Sequence, residues 1–397
     1  MKLLFVLSDF GYGGPTKSLL GLLERIDFQL FDVAVVTLSD IGDLRQFVTE
    51  EVKVLPTPAD AAALALRPQT VFRNLSQSLR RPRLLFASVR ALVRHRLRGG
   101  NMNLERQRLW LEFGPELKPL EDRFDVAVAF GGGFTHYYTH FCVDATKKYH
   151  SVISDYEIIG LDRVGELECF NGFDGALAVS EETARIFNDA FPGSESRTRV
   201  LGNYVPEDLY GRMPSDREIL SVSQPGRFRV VTISRLDRLK GVELAVEACA
   251  DVAGAGVPID WFVLGDGPER ERLEHLARKF GIETHLHFAG YVDNPYSVME
   301  ECDAMVHPSY SEGRSVAVDE AQFLGIPVIA AAYPTVRGQV EDGVNGLVVP
   351  HDAGRIAEEV VRLFNDADLR GRLASNSRGH SPADANGDLS DYLFSLR

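Results

Sequence analysis

Short apolar, β-branched runs alternate with helical patterns along nearly the whole chain, and this alternation constrains the fold more than any other feature. In the first half the runs are LLFVLS (3–8), DVAVVTLS (32–39), VKVLP (52–56), DVAVAFG (125–131), HSVISD (150–155), GALAVS (175–180) and RVLGN (199–203). In the second half they are FRVVTIS (228–234), DWFVLGD (260–266), HLHFAG (285–290), DAMVHPS (303–309), IPVIAAA (326–332) and GLVVP (346–350). Most are apolar on consecutive residues, which is how a strand reads when both faces of a parallel sheet are covered. Helical patterns such as VELAVEACADVA (242–253) and ERERLEHLARKF (269–280) lie between them. The expected class is α/β with two doubly wound, Rossmann-like domains.

A chain of 397 residues exceeds the size at which one core keeps growing, so two domains are expected. The polar stretch PEDLYGRMPSDREILSVSQPGR (206–227) reads as the linker. The expected organisation is a first domain over 1–205 with a basic insert at about 73–108. A second domain follows over 228–375, and a tail over 376–397 ends in a helix that returns to the first domain. In such folds ligands sit at the carboxyl ends of the strands, so a cleft between the domains is the expected site.

Charge is unevenly distributed. The net charge is −14, yet residues 73–108 hold ten Arg, no Lys and one acid, Glu105, for a local +9 that leaves −23 elsewhere. A globally acidic chain is a poor nucleic-acid binder, so no nucleic-acid partner is expected. From Pro82 onward RLLFASVRALVRHRLR (83–98) reads as a basic amphipathic helix. At 100° per residue Leu85, Val89, Leu92 and Val93 share one face and Arg83, Arg90, Arg94 and Arg98 the other, with Arg96 beside the apolar face. Such a helix fits an anionic membrane surface, its own domain, or an anionic acceptor. The start, MKLLFVLSDFGYGG, lacks the apolar length of a secretory signal, and no run is long enough to span a bilayer. Cys142, Cys169, Cys249 and Cys302 are scattered, as suits a reducing cytoplasm rather than a disulfide or zinc framework.

Three stretches carry candidate chemistry. GGPTKSLLGLL (13–23) follows the first run; Gly13 and Gly14 suit either a tight turn or an anion at a helix start. It is neither GxGxxG nor a P-loop. In TISRLDRLKGVELAVEA (232–248), Arg235 and Lys240 flank a turn closing at Gly241. A guanidinium and an ammonium aimed at one point suit a diphosphate, although two solvated cations would read the same way. In LGDGPER (264–270) the glycines read as turn-formers. SEGRSVAVDEAQFLGIPVIA (311–330) sets Glu312 at the mouth of a helix over 315–324 and Glu320 deeper in it. Gly313 permits close backbone approach, and the N–H groups of Arg314, Ser315 and Val316 would favour phosphate. Glu320 suits a ribose diol, or is simply a helical acid.

Together, EG-x(6)-EA-x(3)-G-PV and the upstream R-x(4)-KG resemble the retaining glycosyltransferases of family 4, which have the GT-B fold. The resemblance runs from GGPTKSLL through DGALAVSEE (174–182) and Asn203 to NGLVVP (345–350), and is strongest in the second half. AAYPTVRGQVEDGVNGLVV (331–349) is similar to members that build bacterial cell-surface polysaccharides. The resemblance implies that Arg235 and Lys240 neutralise the donor diphosphate. Glu312 would contact the transferred sugar and Glu320 the ribose, with Gly290 and Tyr291 near the base. Gly14 would approach the diphosphate, and the N–H groups at 314–316 would receive phosphate and sugar oxygens. The donor would be a UDP- or GDP-sugar, with no cofactor or metal. The acceptor would be a glycan or lipid-linked, and the enzyme cytoplasmic and peripheral on the inner face of the membrane. A non-catalytic nucleotide-sugar-binding partner and a nucleotide-sugar epimerase of the same architecture are the competing functions.

One departure stands out. Many relatives carry K-K-x-x-W-x-H-x-D-Y in the first domain, whereas this chain has KKYHSVISDY (147–156). Asp155 and Tyr156 match, with Asp155 expected at a donor or acceptor sugar, but Ile153 stands where the His would be. His150, three residues away on a strand, points to the opposite face from Ile153. His136 and His140 are candidate substitutes, core or surface roles being the plainer reading. Asp366-Ala-Asp368 has the form of a metal-binding pair but reads as helix capping.

Overall fold

The computed structural model describes residues 1–58, 61, 64, 82–98, 101–132, 134–153, 160–379 and 389–396. Each apolar run overlaps a strand. The first seven are β1 (Lys2–Leu7), β2 (Asp32–Thr37), β3 (Lys53–Val54), β4 (Arg123–Ala129), β5 (Asp144–Val152), β6 (Gly175–Ala178) and β7 (Thr198–Val200). The remaining six are β8 (Phe228–Ile233), β9 (Ile259–Leu264), β10 (Leu286–Gly290), β11 (Ala304–His307), β12 (Val328–Ala331) and β13 (Leu347–Val349). They form two sheets, ordered β3-β2-β1-β4-β5-β6-β7 and β10-β9-β8-β11-β12-β13. The pairings are parallel, β1 with β2 and β4 in the first sheet, β8 with β9 and β11 in the second.

The strands are hydrophobic throughout because helices cover both faces. Leu3, Leu4, Phe5, Val6 and Leu7 of β1 are all buried, as are all six residues of β9. Full burial of such a side chain stabilises by about 1.5–3 kcal/mol, which is why both sheets are the centres of their cores. β5 starts at Asp144, six residues ahead of the apolar run, because DATKK alternates between exposed and half-buried positions before the strand dives into the core.

The chain divides into two compact units, Met1–Tyr204 with Asn386–Arg397, and Val205–Ala385. The stretch expected as a linker is folded into the second unit. Glu207–Arg212 is a helix and Arg217–Val222 a 3-10 helix. The Asp216 N–H donates to Ser297 Oγ at 2.9 Å, Arg217 pairs with Glu300 at 2.8 Å, and Leu220 is buried. Its polar composition conceals the apolar anchors Leu209, Met213 and Leu220. The C-terminal helix Leu389–Ser395 packs within the first unit, where the Leu389 N–H donates to Tyr204 and Tyr392 to Tyr149.

The basic helix forms over Pro82–Arg98, with its faces turned from the expected arrangement. Leu84, Ala87, Ser88 and Ala91 face the core, whereas Val89 and Val93 are exposed. Arg94, placed by the helical wheel on the solvent side, turns inward to Glu105 at 3.1 Å. The helix packs against its neighbour Met102–Phe113, and the small residues at 87, 88 and 91, rather than Val89 and Val93, are the buried ones.

Candidate functional site

In a doubly wound sheet the crevice opens where strand order reverses. In the second sheet that point lies between β8 and β11, which pair directly. The loops after these two strands carry Arg235 and Lys240 on one side and Glu312 on the other. They are tied together by the Tyr310 N–H donating to Leu239 O at 2.8 Å and by Ser309 Oγ donating to the same oxygen at 3.1 Å.

Gly241 makes this close approach feasible. Its φ of +61° is a left-handed conformation, and a Cβ there would lie 2.2 Å from the Pro308 carbonyl oxygen. Only glycine satisfies both demands. The turn before it is the 3-10 helix Arg238–Lys240, capped by Asp237 accepting from the Leu239 N–H. Arg235 donates to the same Asp237 and is otherwise largely solvent-facing.

Lys240 Nζ donates to Glu312 Oε1 at 2.7 Å. His307, the last residue of β11, stands with Nε2 3.0 Å from the same oxygen and is itself buried. Burial alone would raise the Glu312 pKa, but the His307 bond and then Lys240 hold it down to about 2. The carboxylate is therefore ionised at all physiological pH. Both donors engage Oε1, and Thr335 Oγ1 donates to the Glu312 carbonyl at 2.9 Å. Backbone and carboxylate are thereby fixed from two loops and the end of β11. His307 was missed in the sequence, although its place at a strand's carboxyl end five residues before Glu312 marks it.

The mouth of the helix Val316–Leu324 is built differently from the expected open anion site. Ser315 caps it, with Oγ accepting from the Val318 N–H. The Ser315 N–H is taken by Gln339 Oε1 at 3.1 Å, and Gln339 Nε2 donates to Asp319 Oδ1 at 2.8 Å. Tyr333 OH also donates to Gln339 Oε1 at 3.0 Å. Arg314 forms a two-pronged buried pair with Asp319, at 2.8 and 3.0 Å, and donates to Gly338 O. The helix start is thus locked by side chains from the loop after β12. Gly313 and the backbone of Arg314 and Val316 lie beside this lock.

Glu320 is fully buried and accepts a hydrogen bond from Tyr296 OH. Burial and the adjacent Glu320 charge push the Tyr296 pKa well up, so the phenol stays a donor. Gly290 ends β10 with φ +76° and its carbonyl accepts from the Gly265 N–H at 2.7 Å, while Tyr291 is exposed beside it.

In the first unit the corresponding reversal lies between β1 and β4. Ser8 Oγ donates to Gly132 O at 2.7 Å across it. Gly13 has an ordinary extended φ of −69° and caps the helix Gly14–Leu23 without a side-chain bond. The left-handed glycine of this region is Gly131, at φ +79°, whose Cβ would strike Pro15. His136 is buried against Glu166 at 3.2 Å, with Tyr137 OH donating to the same carboxylate. His150 lies under Phe170, Phe173 and Phe187. Both rings therefore belong to the core, and His140 is half-buried at the end of its helix. Asp155 and Tyr156 lie outside the described residues. Asp366 caps the helix Ala367–Ser377 by accepting from the Leu369 N–H at 2.8 Å.

Residues 218–380 match the family "Glycosyl transferases group 1". The chain is similar to the Rhizobium meliloti lipopolysaccharide core biosynthesis glycosyltransferase LpsE, 32% identical over 152 residues, or 38% of this chain and 43% of that one. It is 30% identical over 152 residues to a colanic acid biosynthesis glycosyltransferase, WcaL of Salmonella typhimurium, covering 35% of this chain and 37% of the relative. The chain thus spans well under two thirds of these curated relatives' length. Across all of both chains it superposes on Anabaena HepE, solved with UDP and glucose, with a TM-score of 0.68 at 19% identity. Residues 218–380 thus belong to the group 1 glycosyl transferases, in a chain whose two doubly wound sheets make the GT-B fold.

Proposed function

We propose that the chain is a retaining, metal-independent glycosyltransferase that moves a sugar from a UDP- or GDP-sugar to a glycan or lipid-linked acceptor in bacterial cell-surface polysaccharide synthesis. The observation that carries this reading is the Lys240–Glu312–His307 cluster at the β8/β11 switch point, where a cation and a carboxylate ionised at physiological pH meet. The neighbouring relatives LpsE and WcaL, named for lipopolysaccharide and colanic acid synthesis, support the pathway class.

In this reading Arg235 and Lys240 take up charge on the departing diphosphate, and Glu312 holds the transferred sugar. Glu320 serves the ribose and Gly290 and Tyr291 the base. The backbone at Gly313, Arg314 and Val316, with Gly14 of the first unit, approaches phosphate or sugar oxygens. The Ser315 N–H keeps Gln339 in place instead. The sugar–phosphate bond breaks as the acceptor oxygen bonds to the same face of the sugar, and the acceptor proton passes to the leaving phosphate. Asp155 remains the candidate contact to a sugar from the first unit. No cofactor takes part, and the enzyme works in the cytoplasm at the membrane surface.

Ile153 favours a second reading, a nucleotide-sugar-binding partner without turnover. Labelled UDP- and GDP-sugars incubated with bacterial lipid and glycan extracts separate the two. Transfer that survives a chelator and disappears in Glu312→Gln supports the enzyme; saturable donor binding without transfer to any acceptor supports the partner. Conversion of the donor sugar without acceptor would mark an epimerase.

A further inference from the structure

The outward face of the helix Pro82–Arg98 carries large apolar side chains that the core does not use. Phe86 is 71% exposed, Val89 47% and Val93 50%. Spaced by three and four residues, they form one stripe along the helix. Arg83 and Arg90 border this stripe on one side and Arg96 on the other, all exposed. Of the nearby acids, Glu105 pairs with Arg94 and Arg108, while Glu116 makes an exposed 3.6 Å pair with Arg83 that a headgroup phosphate would replace. A stripe of Phe and Val between arginines has the chemistry of the boundary between lipid headgroups and acyl chains.

We infer that this face docks the first unit on an anionic phospholipid bilayer, with Phe86, Val89 and Val93 entering the acyl boundary and Arg83, Arg90 and Arg96 meeting headgroup phosphates. Charge complementarity selects lipid as the occupant: in a chain of net charge −14, this face sets the exposed guanidiniums of Arg83, Arg90 and Arg96 beside the apolar stripe. Leu84, Ala87 and Ala91 anchor the opposite face in the core, so the stripe is presented on a fixed support. This docking deepens the proposed membrane-surface location but needs no nucleotide, so it stands or falls apart from the donor site.

The test is co-sedimentation of the full chain, without nucleotide, with phosphatidylcholine vesicles with and without phosphatidylglycerol. The chain is expected to sediment with the anionic vesicles and to be released by salt. Each of Arg83→Ser, Arg90→Ser and Arg96→Ser weakens binding roughly fivefold. Phe86→Ser and Val93→Ser weaken it at least as much, with unchanged thermal unfolding because these side chains are solvent-facing. No vesicle binding, or binding indifferent to both sets of variants, overturns the inference. So does a monomer–dimer equilibrium abolished by Phe86→Ser without vesicle binding, which would make the stripe a contact between copies.

Discussion

Lys240 Nζ lies 2.7 Å from Glu312 Oε1, joining the loop after β8 to the loop after β11 at the one place in the second sheet where strand order reverses. The pair has two consequences. It keeps a cation positioned before any ligand arrives, and it fixes a largely buried carboxylate at the strand ends.

His307 positions that carboxylate without needing to touch a substrate. His307→Ala is expected to lower turnover about 10²-fold, the usual cost of a misplacement near 1 Å, with little change in donor KM. His307→Gln, whose amide nitrogen can reach the place of Nε2, should recover part of the loss. Steady-state kinetics on the three proteins check this; a loss in KM alone would mean that His307 contacts the donor.

The ionised state of Glu312 makes stability depend on acid. Its pKa falls from 4.5 to about 2 on folding, so its contribution is complete above pH 4.5 and disappears as pH drops toward about 2. The difference amounts to about 3 kcal/mol at neutral pH. Urea unfolding in a Trp110→Phe background, where Trp261 reports the second unit, should show Glu312→Gln less stable than the parent at pH 6. The gap should shrink as pH falls below 4.5.

Gly241→Ala is expected to cost at least about 1–3 kcal/mol, because it imposes left-handed strain and drives a Cβ into Pro308. The variant should lose activity even where it remains folded, since the two loops must separate. Circular dichroism melting and transfer assays measured together distinguish this from simple unfolding.

In the first unit, His150 is neutral because burial, and next the neighbouring His136, hold its pKa well below 6.5. The unfolded chain takes up that proton more readily, so the contribution is present above pH 6.5 and lost as pH falls below it. His150→Phe should flatten the stability profile between pH 7 and 5. An unchanged slope would assign it to other groups.

The strands were legible because a fully covered parallel strand is a short, continuous apolar run, and each such run became one. The placement of Arg235, Lys240 and Glu312 at the strand ends was legible because they sit in loops directly after those runs. The Gln339 lock and the Tyr296–Glu320 bond were not, since both depend on helix and loop side chains 24 residues apart being brought together by the tertiary fold, which leaves no local pattern. The rotation of the Pro82–Arg98 helix escaped the helical wheel because the buried face is made by small residues, Ala87, Ser88 and Ala91, which a hydrophobicity pattern does not pick out.

The most direct measurement is thermal stabilisation of the protein by UDP, GDP and ADP, with Lys240→Ala beside the parent. A donor diphosphate held by Arg235 and Lys240 should raise the melting temperature with one nucleotide class, and the shift should vanish in the variant while the unliganded fold persists. Equal shifts in parent and variant would place the nucleotide elsewhere and contradict the assigned site.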